Sequence, residues 1–265
     1  MNFVFDLDGT ICFQGNPVSS NILNCLHALE QDVIFASARP IRDMLPVLHK
    51  RFHTYTLIGG NGSLIYKNRK LVHAHTFTNE QLGIILKLIH KHQATFLIDS
   101  DWDYAYTGPD DHPIVKNIDR GNLAKNLTVN QLTQVVKILI VTMNDYTVLL
   151  KELEVLDVTI HKHHNEQTID ISPRGINKWS ALKKLGIAKN NYIAFGNDAN
   201  DISMFKHAAH SVMIGNHKEL AYFADEKIDC EEQGSFIRFE HLQKGTLFSE
   251  LRLVSNECRT LLIFT

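Results

Sequence analysis

Two aspartates, Asp6 and Asp8, stand two residues apart at the end of the apolar run Phe3-Val4-Phe5, and Gly9 and Thr10 follow them directly. Side chains alternate along an extended chain, but a turn at Gly9 can bring both carboxylates toward one pocket beyond the strand's carboxyl end, where open α/β sheets bind ligands. The chemistry open to such a pair is phosphoryl transfer: one carboxylate attacks phosphorus and the other serves the leaving oxygen as an acid. A polar turn that caps the next element would use the same residue types.

Three further segments carry polar groups with strand or helix ends beside them. Ser37, in Phe35-Ala36-Ser37-Ala38-Arg39, follows a second apolar run, where a hydroxyl and nearby backbone N–H groups can hold phosphoryl oxygens or simply cap a helix. Lys178 sits near the start of a helical pattern, a place the helix dipole disfavours for a cation, although solvation is the commonest fate of a lysine. Asn197-Asp198-Ala199-Asn200-Asp201 follows the apolar run Ile193-Ala194-Phe195-Gly196, as a cation-binding loop or as an Asx-rich cap.

The elements that must position these groups alternate. A strand at Phe3 to Phe5, a helix through Ile22, Leu23, Leu26 and Leu29 with Ser19 or Ser20 as N-cap, a strand at Val33 to Ala36, a helix from Arg42 to Arg51 and a strand at Thr56 to Ile58 give βαβαβ order. That order implies a parallel sheet. Ser63 to Tyr66 and Leu71 to His75 read as a hairpin at its edge. From about residue 78 the pattern changes to a helix (Asn79 to Lys91), strands at Thr95 to Ile98, Asp103 to Tyr106 and Val135 to Thr142, a helix from Asp145 to Leu156, and strands at Val158 to His163 and Thr168 to Ser172. Alternation then resumes, with a helix from Ile176 closed by Gly186, a strand from Tyr192, a helix from Asp201 to His207 and a strand from Ser211. The expected fold class is α/β: a Rossmann-like core of residues 1–77 and 174–265 interrupted by an α+β insert at 78–173.

In this order the four segments resemble the haloacid dehalogenase (HAD) superfamily of phosphatases, in particular the Cof-type branch (subclass IIB) with its large α+β cap. The resemblance runs from Asn2 to about Gly234 and implies roles for particular residues. Asp6 would be the nucleophile that forms an aspartyl-phosphate and Asp8 the general acid and base. Leu7, Ser37, Ala38, Lys178 and Asn200 would hold the phosphoryl group, Asp6, Asp8, Asn197 and Asp201 would hold Mg²⁺, and Arg39 and Asn61 would face the substrate. Two positions depart from the family pattern. Ala38 stands where glycine is common, and Asn197 stands where an acid ligates the metal. An amide oxygen can ligate a hard cation but brings no charge, so either Asn197 is a weaker ligand or Asp198 or Asp201 contributes through a shift or a water.

The acid at position 8 suits ester hydrolysis and disfavours the P-type ATPases, which carry threonine there, and true dehalogenases, which lack it. The expected function is Mg²⁺-dependent hydrolysis of a small phosphorylated metabolite, a sugar phosphate or similar phosphomonoester. A catalytically weak protein that binds a phosphorylated ligand as a sensor, motivated by Asn197, and a phosphomutase stand as alternatives. Asp101, Trp102, Tyr104, His112, Lys116 and Arg120 in the insert are candidates for substrate contact by chemistry alone. Asp99-Ser100-Asp101-Trp102-Asp103 opens like a calcium loop, but Tyr104 occupies the glycine position, and calcium is rejected there. His161, His163 and His164 have no matched second cluster and read as solvated.

Composition fits a globular chain with room for one large α/β domain or for a core plus a smaller domain. The chain has 265 residues, 44% hydrophobic and 21% charged, with a formal net charge of −2, so no basic excess points to nucleic acid or an anionic membrane. Cys12, Cys25, Cys230 and Cys258 are scattered and suggest neither a disulfide framework nor a zinc site. The N-terminus enters the first strand almost at once without a basic and then apolar leader, and a cytoplasmic location is expected. Leu261 to Phe264 is an apolar stretch that fits either a docked strand or a contact between copies.

Overall fold

A computed structural model describes residues 1–29, 31–161, 168–228, 251–256 and 259–264, the last two segments as backbone only. In chain order its elements are β1 (Asn2–Phe5), α1 (Ser20–Ala28), β2 (Val33–Ala36), α2 (Ile41–Met44), β3 (Thr56–Gly59), β4 (Leu64–Lys67), β5 (Lys70–Ala74), α3 (Asn79–Lys91), β6 (Thr95–Asp99) and β7 (Tyr104–Tyr106). There follow β8 (Lys137–Thr142), α4 (Tyr146–Glu154), β9 (Val158–His161), β10 (Ile169–Pro173), α5 (Lys178–Lys184), β11 (Tyr192–Gly196), α6 (Ile202–Phe205), β12 (His210–Ile214), β13 (Glu226–Ile228), β14 (Leu251–Asn256) and β15 (Arg259–Phe264). The chain divides into two compact units: residues 1–35, 47–49 and 187–265, and residues 36–46 and 50–186.

In the first unit β1 runs parallel to β2 on one side and to β11 on the other, and β12 and β13 continue the parallel sheet beyond β11. Parallel strands are buried on both faces, which is why these segments are nearly continuous apolar runs. Phe5 stacks on Phe195 at 4.4 Å between ring centroids. The Ser19 hydroxyl caps α1 by accepting from the Ile22 N–H. Residues 261–264 lie in β15, which pairs antiparallel with β14.

The second unit holds the antiparallel run β3-β4-β5 and a five-stranded antiparallel sheet in the order β7-β6-β8-β10-β9. The alternation of strand side chains sorts the five-stranded sheet into two faces. Phe96, Ile98, Ile138, Ile140, Ile169 and Ile171 point to α3 and α4 and pack with Ile85, Ile89, Leu149 and Leu153. The opposite face carries Leu97, Leu139 and Val141 and, by the same alternation, Asp99, Lys137 and Asp170. Those three charged residues are buried.

The structure shortens one expected helix. Arg42 to Arg51 forms only the turn of α2 and, later, a 3₁₀ turn at Lys50–Phe52, because Pro46 lacks the N–H that would bond the Arg42 carbonyl and its ring crowds that turn. The helix expected from Asp201 begins at Ile202, after a 3₁₀ turn at Ala199–Asp201. Strand β13 was not expected, since Glu226-Lys227-Ile228 has one apolar residue and no alternation to read. The Asp99–Asp103 segment is a turn, with the Ser100 hydroxyl donating to the Asp103 carbonyl and the Asp103 carboxylate accepting from the Lys125 N–H. His161 lies 3.2 Å from the Ser172 hydroxyl, and His163 and His164 fall outside the described residues.

The α2 turn is tied down by a buried charge cluster. The Arg42 guanidinium, with no exposed surface, donates to the Asp99 carboxylate and to the Trp102 carbonyl, lies 3.3 Å from Asp43 and sits over the Tyr104 ring. Asp43 in turn accepts from the Asp119 N–H at 2.8 Å. Burial pushes the Asp43 carboxyl up to about 6, against the opposing pull of Arg42 and with Asp99 adding to the rise. Because this value lies above that of the unfolded chain, the folded state keeps a proton that the unfolded state has released between roughly pH 4 and pH 6. The group therefore adds stability as pH falls through 6, and nothing at pH 7. Asp43→Asn keeps an acceptor for Asp119 but cannot titrate. The wild type should gain about 1 kcal/mol on the variant between pH 7 and pH 5, read as a thermal-melting difference that grows in acid.

Candidate active site

In the first unit the Asp6 backbone is pinned by its N–H, which donates to the Phe195 carbonyl at 2.9 Å. Beyond it the chain wraps around a single acceptor: the N–H groups of Thr10, Ile11 and Cys12 all point to the Leu7 carbonyl at 2.8–3.1 Å. Gly9 makes that turn possible at φ +77, and a Cβ there would stand 2.1 Å from the Asn197 side-chain nitrogen, so the position excludes every larger residue. The turn leaves Asp6 buried and Asp8 exposed. Leu7 itself is fully buried and anchors the loop.

Thr10, one residue past the turn, reaches both halves of this loop pair. Its hydroxyl lies 3.0 Å from Asp6 Oδ2 and 3.2 Å from Asn197 Oδ1, close enough to donate to either. Asp6 and Asn197 therefore present hard oxygen donors around one point, with Asp8 two residues from Asp6 in the same turn. Among the described residues no group of three His, Cys, Asp or Glu side chains is arranged to hold a metal. The donors are all oxygen, which suits a hard divalent cation such as Mg²⁺.

The remaining polar groups of the Asn197 loop are engaged inside it. Asp201 is fully buried, and its Oδ2 accepts from the N–H groups of Asn197 at 2.8 Å and Asp198 at 3.1 Å. Its carboxylate packs over Gly196, where a Cβ would meet the Asp201 Cγ at 2.5 Å. Asp201 is thus the brace that holds Asn197 in place. Asp198 accepts from the Ala199 N–H and pairs with His217 at 3.2 Å. Asn200 is half-buried in the same turn.

The second unit gathers Ser37, Ala38, Arg39, Asn61 and Lys178. Ser37 is buried; its N–H donates to the Ile58 carbonyl, its carbonyl accepts from the Asn61 N–H, and its hydroxyl accepts from the Arg39 N–H. The Arg39 carbonyl accepts from the Gly60 N–H, and the Arg39 guanidinium donates to the Asp43 carbonyl. A Cβ on Gly59 would lie 2.9 Å from the Arg39 carbonyl oxygen, so this interlacing needs glycine. Asn61 is fully buried in the left-handed region at φ 58, which asparagine tolerates better than most residues. Gly62 follows at φ +116, and a Cβ there would stand 2.3 Å from the Asn177 carbonyl, so the turn packs directly on the start of α5. Asn177 caps that helix through the Ser180 N–H, which leaves Lys178 at the first helical position with no exposed surface. A fully buried lysine is not the solvated side chain that composition favours.

Of the insert candidates, Trp102 and Tyr104 belong to the Arg42 cluster and His112 accepts from the Ile114 N–H. Sequence reasoning passed over Thr10, Lys137 and Asp170. Thr10 stands out in the sequence only by its place directly after the acids. Lys137 and Asp170 carried a readable signal, a charge at an alternate position of an otherwise apolar strand.

The model of the haloacid dehalogenase-like hydrolases matches residues 3–239. The chain is 24% identical over 234 residues to the 5-amino-6-(5-phospho-D-ribitylamino)uracil phosphatase YitU of Bacillus subtilis, covering 80% of this chain and 85% of that one. It is 25% identical over 268 residues to the HMP-PP phosphatase of Yersinia enterocolitica, covering 89% and 93%. Among solved structures, the HAD subclass IIB sugar phosphatase BT4131 shares the fold with a TM-score of 0.69 at 19% identity, over 86% of this chain and 93% of that one. TM0651 from Thermotoga maritima does so with a TM-score of 0.69 at 20% identity, over 88% and 93%. The match over nearly the whole chain, with the motif residues in order and the α/β core and α+β insert in place, means that the chain belongs to the haloacid dehalogenase-like hydrolases, in their Cof-type phosphatase branch.

Proposed function

We propose that the protein hydrolyses a small phosphomonoester through an aspartyl-phosphate on Asp6, and the observation that carries this is the pairing of a buried, oriented Asp6 with an exposed Asp8 in one turn. The Thr10 hydroxyl orients the Asp6 carboxylate. One of its oxygens attacks phosphorus as the bond to the leaving oxygen breaks, and the Asp8 carboxyl gives its proton to that oxygen. Asp8, now a carboxylate, takes a proton from a water that attacks the same phosphorus. That second displacement frees inorganic phosphate and restores Asp6. Exposure suits Asp8 to this exchange, since it meets solvent between the two steps. Ser37, the backbone around Leu7 and Ala38, Lys178 and Asn200 are assigned to the phosphoryl oxygens, and Arg39 and Asn61 to the substrate. Asp6, Asp8 and Asn197 would hold Mg²⁺, which when bound offsets the repulsion between two carboxylates and an anionic ester. Asp201 acts through Asn197 as its brace.

The substrate class rests on the relatives. Curated proteins of similar length act on a phosphoribityl compound, on HMP-PP and on phosphoglycolate, all small phosphorylated metabolites, and the same class is assigned here.

Release of phosphate from an aryl phosphate in the presence of Mg²⁺ tests the reading. Asp6→Asn should lower turnover by on the order of a thousandfold at matched folded concentration; full activity in that variant would remove Asp6 as nucleophile. Asn197→Asp adds the missing charge next to Thr10. The Mg²⁺ concentration for half-maximal activity should fall about tenfold, and an unchanged value would show that Asn197 does not face the cation.

A further inference from the structure

Lys137 and Asp170 are charged, buried and on neighbouring strands, β8 and β10. They form an ion pair at 3.0 Å. A pair placed there only for stability would be a poor choice, since desolvation offsets most of the attraction and well-packed apolar side chains do as well. What distinguishes this pair is where its other bonds go. Lys137 Nζ donates to the Ala38 carbonyl at 2.9 Å, 99 residues away in sequence, and Asp170 Oδ2 accepts from the Asn61 side-chain amide at 3.1 Å, 109 residues away.

Both targets lie in segments assigned to the phosphoryl group. Ala38 sits between Ser37 and Arg39, and its carbonyl belongs to the peptide whose N–H, that of Arg39, donates to the Ser37 hydroxyl, so fixing that carbonyl also sets the partner that holds the hydroxyl. Asn61 is the strained left-handed residue of the Gly60-Asn61-Gly62 turn, and Gly62 packs on the Asn177 carbonyl at the start of the helix that carries Lys178. A single buried pair on the insert's sheet thus bears on Ser37, Ala38, Asn61 and, through Gly62, Lys178.

We propose that Lys137 and Asp170 are positioning residues of the hydrolase, a two-residue clamp by which the α+β insert sets the phosphate-holding segments around Ala38 and Asn61. The inference rests on the assignment of those segments to the phosphoryl group. The insert then has a part in forming the anion site, and its charge balance matters there. Losing Lys137 leaves a buried carboxylate beside the place where a dianion must sit. Losing Asp170 takes away the acceptor of the Asn61 side-chain amide and the ion-pair partner of Lys137.

The test uses the full chain with Lys137→Met, Asp170→Leu, Asp170→Asn and the Lys137→Met/Asp170→Leu double variant. Turnover of an aryl phosphate with Mg²⁺ and inhibition by inorganic phosphate are measured at matched folded concentration. Each of Lys137→Met and Asp170→Leu should lower kcat/KM on the order of tenfold to a hundredfold, the cost of small misplacements at a reacting centre, and should weaken phosphate inhibition in parallel. The double variant should lose less than the product of the single losses, since the uncompensated charge is gone. Asp170→Asn, which still accepts from Asn61, should recover part of the Asp170→Leu loss. Lys91→Met, which breaks the exposed Lys91–Glu152 pair of the same insert, should change neither quantity. Variants that melt earlier yet keep wild-type kcat/KM and phosphate inhibition per folded molecule would make the pair purely structural and overturn the proposal. If Lys137→Met does not fold, Asp170→Asn against Asp170→Leu decides the same question. Asp6→Asn run alongside separates the two readings: full turnover there removes the phosphoryl assignment and this clamp with it, whereas an inert Asp6→Asn beside fully active clamp variants removes the clamp alone.

Discussion

The second unit depends on placing charge inside a sheet without leaving it unpaired. Asp99, Lys137 and Asp170 share the helix-free face of the five-stranded sheet, and each must meet a partner there, since a buried charge without one costs several kcal/mol. Asp99 meets Arg42, Lys137 meets Asp170 and the Ala38 carbonyl, and Asp170 also meets Asn61. The constraint fixes strand register. A slip of one residue in β8 or β10 would turn Lys137 or Asp170 into the apolar layer of Ile138, Ile140, Ile169 and Ile171. It also fixes residues 36–46 and 59–62, which have little regular structure of their own and take their geometry from these bonds.

In the first unit the organising group is a carbonyl. Three successive N–H groups converge on Leu7, Gly9 supplies the left-handed turn, and Asn197 fills the space that a Cβ on Gly9 would occupy. Asp201 then closes the arrangement from below by accepting from Asn197 and Asp198. Each member holds the next, so the Asp6 carboxylate is oriented by backbone geometry as much as by its own hydrogen bond to Thr10.

Much of this was legible in the residues. The strands at Val33–Ala36 and Thr95–Asp99 and the helix at Asn79–Lys91 follow from apolar periodicity and cap chemistry: Thr78 and Gln81 form a capping box, and Asp145 caps α4. Helix ends set by proline or by a buried acid were harder, as α2 and α6 show, because the deciding bond is local and periodicity does not see it. The acids of the first turn and the small, polar residues after β2 and β11 mark the candidate site by type and spacing. Lys178 was read through motif order, and its complete burial is what the structure adds. The clamp was not read, because a charge in an apolar strand signals burial without naming its partner, and partners about a hundred residues away have no signature in a single chain.

The amide at position 197 connects these levels. An acid there would add a carboxylate beside Asp6; asparagine keeps the oxygen and drops that charge, and the Thr10 hydroxyl lies within reach of the amide oxygen and of the Asp6 carboxylate alike. One charge fewer weakens the hold on a cation but also lowers the repulsion that an incoming phosphate dianion meets before any cation is bound. Under the function proposed above, less of the phosphoryl charge would be met by the cation and more by donors that the fold has already oriented, an arrangement that costs no reorganisation as charge develops.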